Sequence, residues 1–164
     1  MEFIKKNPKI YIFAGKARAG KDTSADILKK YYEQNNKKTI ILQYSFYLKE
    51  YAKKITGWDG SDENKPRQLL IDLGTGLIRN QINHNFFVDR MIQDIEIYSY
   101  YFDVIIISDA RLVEELDCPK TKLKNVKLNM DFFSIIKPLR LEIQAIFRLF
   151  FYFPYGQRFS FRLC

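Results

Sequence analysis

Histidine and cysteine are nearly missing from this chain. A single histidine, His84, and two cysteines, Cys118 and Cys164, provide neither a disulfide framework nor a zinc-ligand spacing. His84 sits between two asparagines and reads as a loop residue rather than a catalyst. Long apolar runs are missing too. The run over 10–14 is too short for a signal peptide. The stretch 143–153 is about half the length that spans a bilayer, and Arg148 interrupts it. The expectation is a cytoplasmic protein with no membrane partner. Acidic residues are in deficit, 19 against 27 Lys and Arg, for a net charge of +8. That surplus fits a phosphate-rich partner. No RRM, zinc-finger or basic-helix signature accompanies it. The lysine pairs (Lys5-Lys6, Lys29-Lys30, Lys37-Lys38, Lys53-Lys54) fall at helix ends and loops, where charge is solvated, so nucleic acid is not expected. No internal repeat is visible. At 164 residues and 47% hydrophobic content, one domain with a real core is the simplest organisation.

What the chain does have is concentrated near its start. Gly15-Lys16-Ala17-Arg18-Ala19-Gly20-Lys21-Asp22-Thr23 follows the apolar strand candidate Ile10-Tyr11-Ile12-Phe13-Ala14 and precedes a helical pattern from Ser24 to Tyr31. Strand, two glycines five apart, lysine, helix is the context that makes a phosphate-loop match credible. The glycines permit backbone conformations that a Cβ blocks. Inward-facing amides and the positive end of the next helix then hold an anion, and Lys21 adds a mobile charge toward β- and γ-phosphates. The pattern departs from the usual one at a single position. Asp22 stands where Ser or Thr normally meets Mg²⁺, and Thr23 comes one later. Thr23 or Asp22 is expected to hold Mg²⁺, directly or through water. The plainer alternative is a glycine-rich turn with Asp22 as a first-turn carboxylate.

The rest alternates in αβ fashion. Strands are expected at about 9–14 and 39–44, and helices at about 22–35, from Ser45 as cap through Ile55, from Pro66 through Leu73, and over 86–100. Gly74-Thr75-Gly76 is expected to interrupt or loosen the third helix. The run 102–108 is apolar on both faces, as in the centre of a parallel sheet. A short helix or turn follows at 111–116, and 126–128 offers one further strand. From Met130 the character changes: ten of 26 aromatics fall in the last 35 residues, with only Asp131 and Glu142 as acids. A boundary is therefore expected near 129/130, between a kinase-like unit at 1–129 and an atypical aromatic segment at 130–164. That segment reads as a truncated or out-of-frame end; the other reading is a helix pair with an exposed aromatic patch.

A second group of charges could turn phosphate binding into chemistry. Asp109 lies at the carboxyl end of an apolar strand, where open α/β sheets bind ligands. It can support Mg²⁺ or accept a proton. Arg111 follows on the same edge, and Arg67, Arg79 and Arg90 fall between the two apolar strands. Phosphoryl transfer needs several cations around the transferring group, and a guanidinium clamps a phosphate bidentately. Each has a structural alternative: Asp109 as a strand-end cap, Arg67 as a first-turn charge, Arg79 and Arg90 as partners of Asp89 and Asp94.

The loop at 15–23 resembles that of the deoxynucleoside monophosphate kinases of the P-loop kinase superfamily and of their bacterial and phage relatives; animal-type phosphomevalonate kinase has a similar Gly-Lys-Asp loop. Further points of resemblance are Tyr44-Ser45-Phe46 with Leu48-Lys49-Glu50, Gly57-Trp58-Asp59-Gly60, Pro66-Arg67-Gln68-Leu69-Leu70, Leu73-Gly74-Thr75 with Arg79, Asn85-Phe86-Phe87-Val88, and Ile107-Ser108-Asp109-Ala110-Arg111, over roughly 9–117. The resemblance implies a three-layer α/β P-loop NTPase fold, a parallel sheet flanked by helices. It implies ATP and Mg²⁺, and transfer of a phosphoryl group to a nucleoside or deoxynucleoside monophosphate bound by a helical segment at about 45–100. Gly15, Lys16, Ala17, Arg18, Ala19, Gly20, Lys21, Asp22 and Thr23 would hold ATP. Lys21, Asp22, Asp109 and Arg111 would act in catalysis, Arg67 and Arg79 would clamp the acceptor phosphate, and Thr23, Asp22 and Asp109 would serve the metal. The arginine-bearing lid, further strand and adenine loop of such kinases have no clear counterpart in 118–164, although Arg140 and Arg148 are lid candidates. Three alternatives stand beside this expectation: a kinase of another small phosphorylated acceptor, an inactive nucleotide-binding remnant without a lid, and, on charge alone, a nucleic-acid binder.

Overall fold

Apolar runs with no polar alternation need cover on both faces, and the fold provides it. The computed structural model describes residues 3–15, 19–112, 114–116 and 130–134. Strand β1 (Lys9–Ala14) lies at the centre, with β3 (Val104–Ala110) on one side and β4 (Met130–Ser134) on the other. Strand β2 (Thr39–Leu42) lies beyond β3, so the order is β2-β3-β1-β4. All pairings are parallel: Ile12 is opposite Ile107, Thr39 is opposite Val104, and Ile10 is opposite Met130.

The two-residue period of the strands sorts their side chains into two cores. Tyr11, Phe13, Val104 and Ile106 pack against Ala25, Leu28 and Tyr32 of α1 (Lys21–Gln34). The Tyr11 and Tyr32 hydroxyls share a hydrogen bond there. Ile10, Ile12, Leu42, Ile105 and Ile107 pack on the opposite face against Phe87, Val88, Met91, Ile92 and Ile95 of α4 (Phe86–Tyr98). Leu48 and Tyr51 of α2 (Phe46–Thr56) close the flank of that second core. Helix, sheet and helices thus form three layers. No helix among the described residues is long and apolar enough to cross a membrane.

Several boundaries differ from expectation, each for a local reason. Strand β2 stops at Leu42 because Gln43 and Tyr44 turn away to bond across the sheet edge. Ser45 precedes α2 but makes no side-chain cap; its hydroxyl donates to Asp109 instead. Strand β3 runs on to Ala110, so Asp109 stands within it. Helix α3 (Arg67–Ile71) passes directly into a π-helix, Asp72–Ile82. The loosening expected at Gly74-Thr75-Gly76 therefore takes the form of a wider helical turn, closed by the Asn83 amide on the Ile78 carbonyl at 2.8 Å. Strand β4 belongs to the same sheet as β1, so the sheet crosses the boundary expected at 129/130. The strand expected at 126–128 and the lid candidates Arg140 and Arg148 lie outside the described residues, as do Lys16, Ala17 and Arg18.

Candidate active site

The carboxyl edge of β1 and β3 gathers most of the charges singled out in the sequence. Gly15 leaves β1 at φ 153° and Gly20 enters α1 at φ 85°, both in a region that disfavours side chains. Gly20 occupies the N-cap of α1 with no side-chain cap. Instead, its carbonyl accepts from the Ser24 amide at 2.9 Å and hydroxyl at 3.0 Å. The first-turn amides of α1 receive no side-chain cap from Gly20, and they carry the positive end of a 14-residue helix.

Lys21 is buried to 7% exposure and donates from Nζ to the Gly15 carbonyl at 2.9 Å, so the lysine closes the loop on itself. Burial, and then the Arg111 guanidinium, hold its pKa below the usual lysine range, while Asp22 and Asp109 pull it back up. Arg111, Asp22 and Asp109 thus all act on the Lys21 ammonium.

Asp22 has a defined seat. Its Oδ1 accepts from the Ser108 hydroxyl at 2.8 Å and from Gln43 Nε2 at 3.3 Å. Gln43 also donates to Ser108 Oγ at 3.2 Å, and its Oε1 accepts from Lys49 Nζ at 2.8 Å. A polar chain thus runs from α2 to the first turn of α1. Thr23 is exposed beside it. Asp22 and the Thr23 hydroxyl, the oxygen groups expected to meet Mg²⁺, stand next to each other in the first turn of α1. Among the described residues no three His, Cys, Asp or Glu side chains cluster to hold an ion by themselves. Such a sparse set fits an ion that takes its remaining ligands from phosphates and water.

Asp109, the expected metal support, has its carboxylate engaged by the chain itself. One oxygen accepts from the Tyr44 amide at 2.7 Å, the other from the Ser45 amide at 3.0 Å and the Ser45 hydroxyl at 2.6 Å. Three of roughly four acceptor positions on a carboxylate are taken. Asp109 thus fastens the β2–α2 junction to the end of β3.

Arg79, expected as an acceptor-phosphate clamp, is paired within the chain. Its Nη2 meets Oε1 of Glu115 at 2.9 Å, and its guanidinium lies 5.6 Å from the Phe87 ring centroid. Arg67 is exposed at the start of α3, where its charge acts on Asp62 along with Lys65 and Lys49. No contact joins Arg67 to Lys21 among the described residues. Arg90 stacks on Tyr47 and Phe86, away from the loop.

Gln43, Ser108 and Glu115 were not singled out from the sequence. Strand alternation offered a signal for Ser108: it shares parity with Val104 and Ile106, hence the α1 side where Asp22 lies, while Asp109 shares parity with Ile105 and Ile107. Glu115 had no comparable signal.

No family model matches the chain, and no curated protein does either. Solved structures of similar shape exist. One is a cysteine-to-alanine mutant of the Mycobacterium tuberculosis APS kinase CysC, at 10% identity and TM-score 0.55, with 88% of this chain and 98% of that one covered. Another is the same kinase in complex with AMPPNP and APS, at 11% identity and TM-score 0.50, with 87% and 73% covered. With the parallel sheet, the flanking helices and the glycine loop leading into α1, the likeness shows that this chain has the three-layer α/β fold of the P-loop kinases.

Proposed function

We propose that this chain is an ATP-dependent P-loop kinase of the cytoplasm whose acceptor is a nucleoside or deoxynucleoside monophosphate. The observation that carries the reading is the environment of Lys21: a buried ammonium folded onto a glycine loop, at an uncapped helix start, with Asp22, Asp109 and Arg111 in its field. The APS kinase neighbour, described in complex with AMPPNP and APS, supports a nucleotide-type substrate for the fold.

In this reading the loop from Gly15 to Gly20 and the first-turn amides of α1 hold the triphosphate of ATP. Asp22 and the Thr23 hydroxyl hold Mg²⁺, which would supply charge neutralisation at the phosphates. An acceptor phosphate oxygen forms a bond to the γ-phosphorus as the bond to the β–γ bridging oxygen breaks, and ADP leaves. Lys21 and Arg111 offset the charge that develops, which is positioning and electrostatics rather than covalent catalysis. Ser108 and Gln43 hold the Asp22 carboxylate in one orientation. The helical segment 45–100 supplies the acceptor side, with Arg67 and Arg79 as its guanidinium groups.

The test is ADP release from ATP and Mg²⁺ in the presence of each monophosphate in turn. One acceptor should stimulate turnover, and Lys21→Ala should abolish the stimulation while the chain stays folded. A chain that binds ATP but ignores every monophosphate is either a kinase of another small phosphorylated acceptor or the inactive remnant. A folded chain with no ATP affinity by calorimetry ends the reading altogether.

A further inference from the structure

Glu115 is the most enclosed carboxylate at this edge, at 4% exposure, and three separate chain segments converge on it. Its Oε1 meets Arg79 Nη2 from the π-helix at 2.9 Å. Its Oε2 accepts the backbone amides of Arg111 at 2.7 Å and Leu112 at 3.1 Å, just beyond β3. Its backbone carbonyl accepts the Tyr44 hydroxyl at 2.6 Å, from the residue whose amide Asp109 holds.

We infer that Glu115 is a positioning residue for the acceptor phosphate: it aims Arg79 and fixes the Arg111 segment, so that the two arginines address one substrate together. The inference rests on the kinase reading above and adds to it the group that sets the acceptor clamp.

The geometry favours this over simple neutralisation of a buried charge. A guanidinium carries five N–H donors, and Glu115 engages Arg79 through Nη2. The Arg79 side chain keeps 22% of its surface exposed, and the ring of Phe87 lies against it. Held on one edge and lying over an aromatic ring, a planar fork has its remaining donors aimed before any ligand arrives. Arg111 in turn acts on Lys21. One carboxylate thereby links Arg79 to the Arg111 segment by direct hydrogen bonds, and Arg111 reaches Lys21 through its charge.

The experiment is a double-mutant cycle on the full chain with Glu115→Gln, Arg79→Ala and the pair combined. It measures KM for ATP and KM for whichever of the four 2′-deoxynucleoside or four ribonucleoside 5′-monophosphates stimulates turnover. Glu115→Gln keeps the shape and an acceptor for the Arg111 amide. It should raise the acceptor KM about tenfold, the size of one lost charge-assisted hydrogen bond, and move the ATP KM less than about twofold. Because Glu115 acts through Arg79, the double variant should be no worse for acceptor than Arg79→Ala alone. Additive losses, equal losses in both KM values, or an unchanged acceptor KM would each overturn the inference and leave the kinase reading standing. Should Glu115→Gln fail to fold, Arg79→Lys keeps the ion pair and removes the planar fork; it too should raise the acceptor KM about tenfold, and an unchanged value overturns the inference. A wild-type chain whose turnover ignores all eight monophosphates defeats the acceptor reading itself, before any variant is made.

Discussion

Replacing Asp109 by alanine separates a fastening role from a metal role. The carboxylate takes two backbone amides and one hydroxyl, at 2.7, 3.0 and 2.6 Å. Hydrogen bonds to an ionised group contribute about 1.5–3 kcal/mol each, and this group is only half-buried, so the lower end applies. Water can reach part of the vacated space and re-pair at least one donor, which brings the loss for Asp109→Ala to about 3 kcal/mol. For a domain of this size each kcal/mol moves the melting temperature by about 2–4 °C, so a drop of about 6–12 °C is expected. Asp109→Asn retains one acceptor oxygen and should lose about half as much. Thermal unfolding followed by the fluorescence of Trp58, the single tryptophan, reads the effect. Calorimetry with ATP, with and without Mg²⁺, reads the site below the melting point. A fastening Asp109 predicts a lower melting temperature and a folded protein whose ATP affinity still depends on Mg²⁺. The opposite pair of results, a melting temperature within about 2 °C of wild type and loss of the Mg²⁺ dependence, would refute the hydrogen-bond argument and return Asp109 to the metal.

Ser108→Ala removes the shortest contact to Asp22 while leaving Gln43, and should weaken Mg²⁺–ATP binding about five- to tenfold in calorimetry with little change in melting temperature. The two π-helix glycines should respond differently. At Gly76 a Cβ meets nothing within 4 Å, so Gly76→Ala should stabilise by about 0.5–1 kcal/mol in urea unfolding. At Gly74 the added Cβ would sit 3.0 Å from Leu48 Cδ2, and the displacement of Leu48 should cancel that gain. Asp94 tests the pH dependence. Burial raises its pKa above the usual carboxylate range, while the Tyr47 hydroxyl and Arg90 pull it down. A carboxyl raised by folding binds its proton more tightly in the folded chain, so its contribution is most favourable at acid pH and is lost as pH rises through the folded value. Asp94→Asn retains an acceptor for Tyr47 and should melt at or above wild type at pH 8, with the difference closing toward pH 4; a lower melting temperature at pH 8 would contradict this.

The sheet was legible because its strands are apolar on both faces, which only a covered parallel arrangement accommodates. Ile10 to Phe13 and Val104 to Ile107 announce the two central strands, and the two glycines between β1 and α1 announce the strand-to-helix turn. Fourth-strand pairing was not legible. Met130-Asp131-Phe132-Phe133-Ser134 opens a segment whose aromatic content hid a five-residue parallel partner for β1. The π-helix was half legible: two glycines in a helical pattern signal weakness, but the choice between a break and a wider turn rests on tertiary contacts such as Gly74 against Leu48.

Charges were legible at the candidate site, and their partners were not. Composition and position mark Asp109 and Arg79 as acid and guanidinium near a ligand edge, yet a carboxylate's meaning depends on which donors reach it. Two amides and a hydroxyl from the β2–α2 junction occupy the Asp109 carboxylate, and a glutamate 36 positions away pairs with Arg79. Both partnerships are long-range and come from chain segments with no motif, so no window of sequence contains them. Lys21 is the contrasting case. It donates to the carbonyl of Gly15, six residues back, so this contact lies within the short window that the motif itself spans. The distinction predicts where sequence reading of such a fold succeeds: groups held by their own loop are identified from spacing, and groups held across the sheet need coordinates.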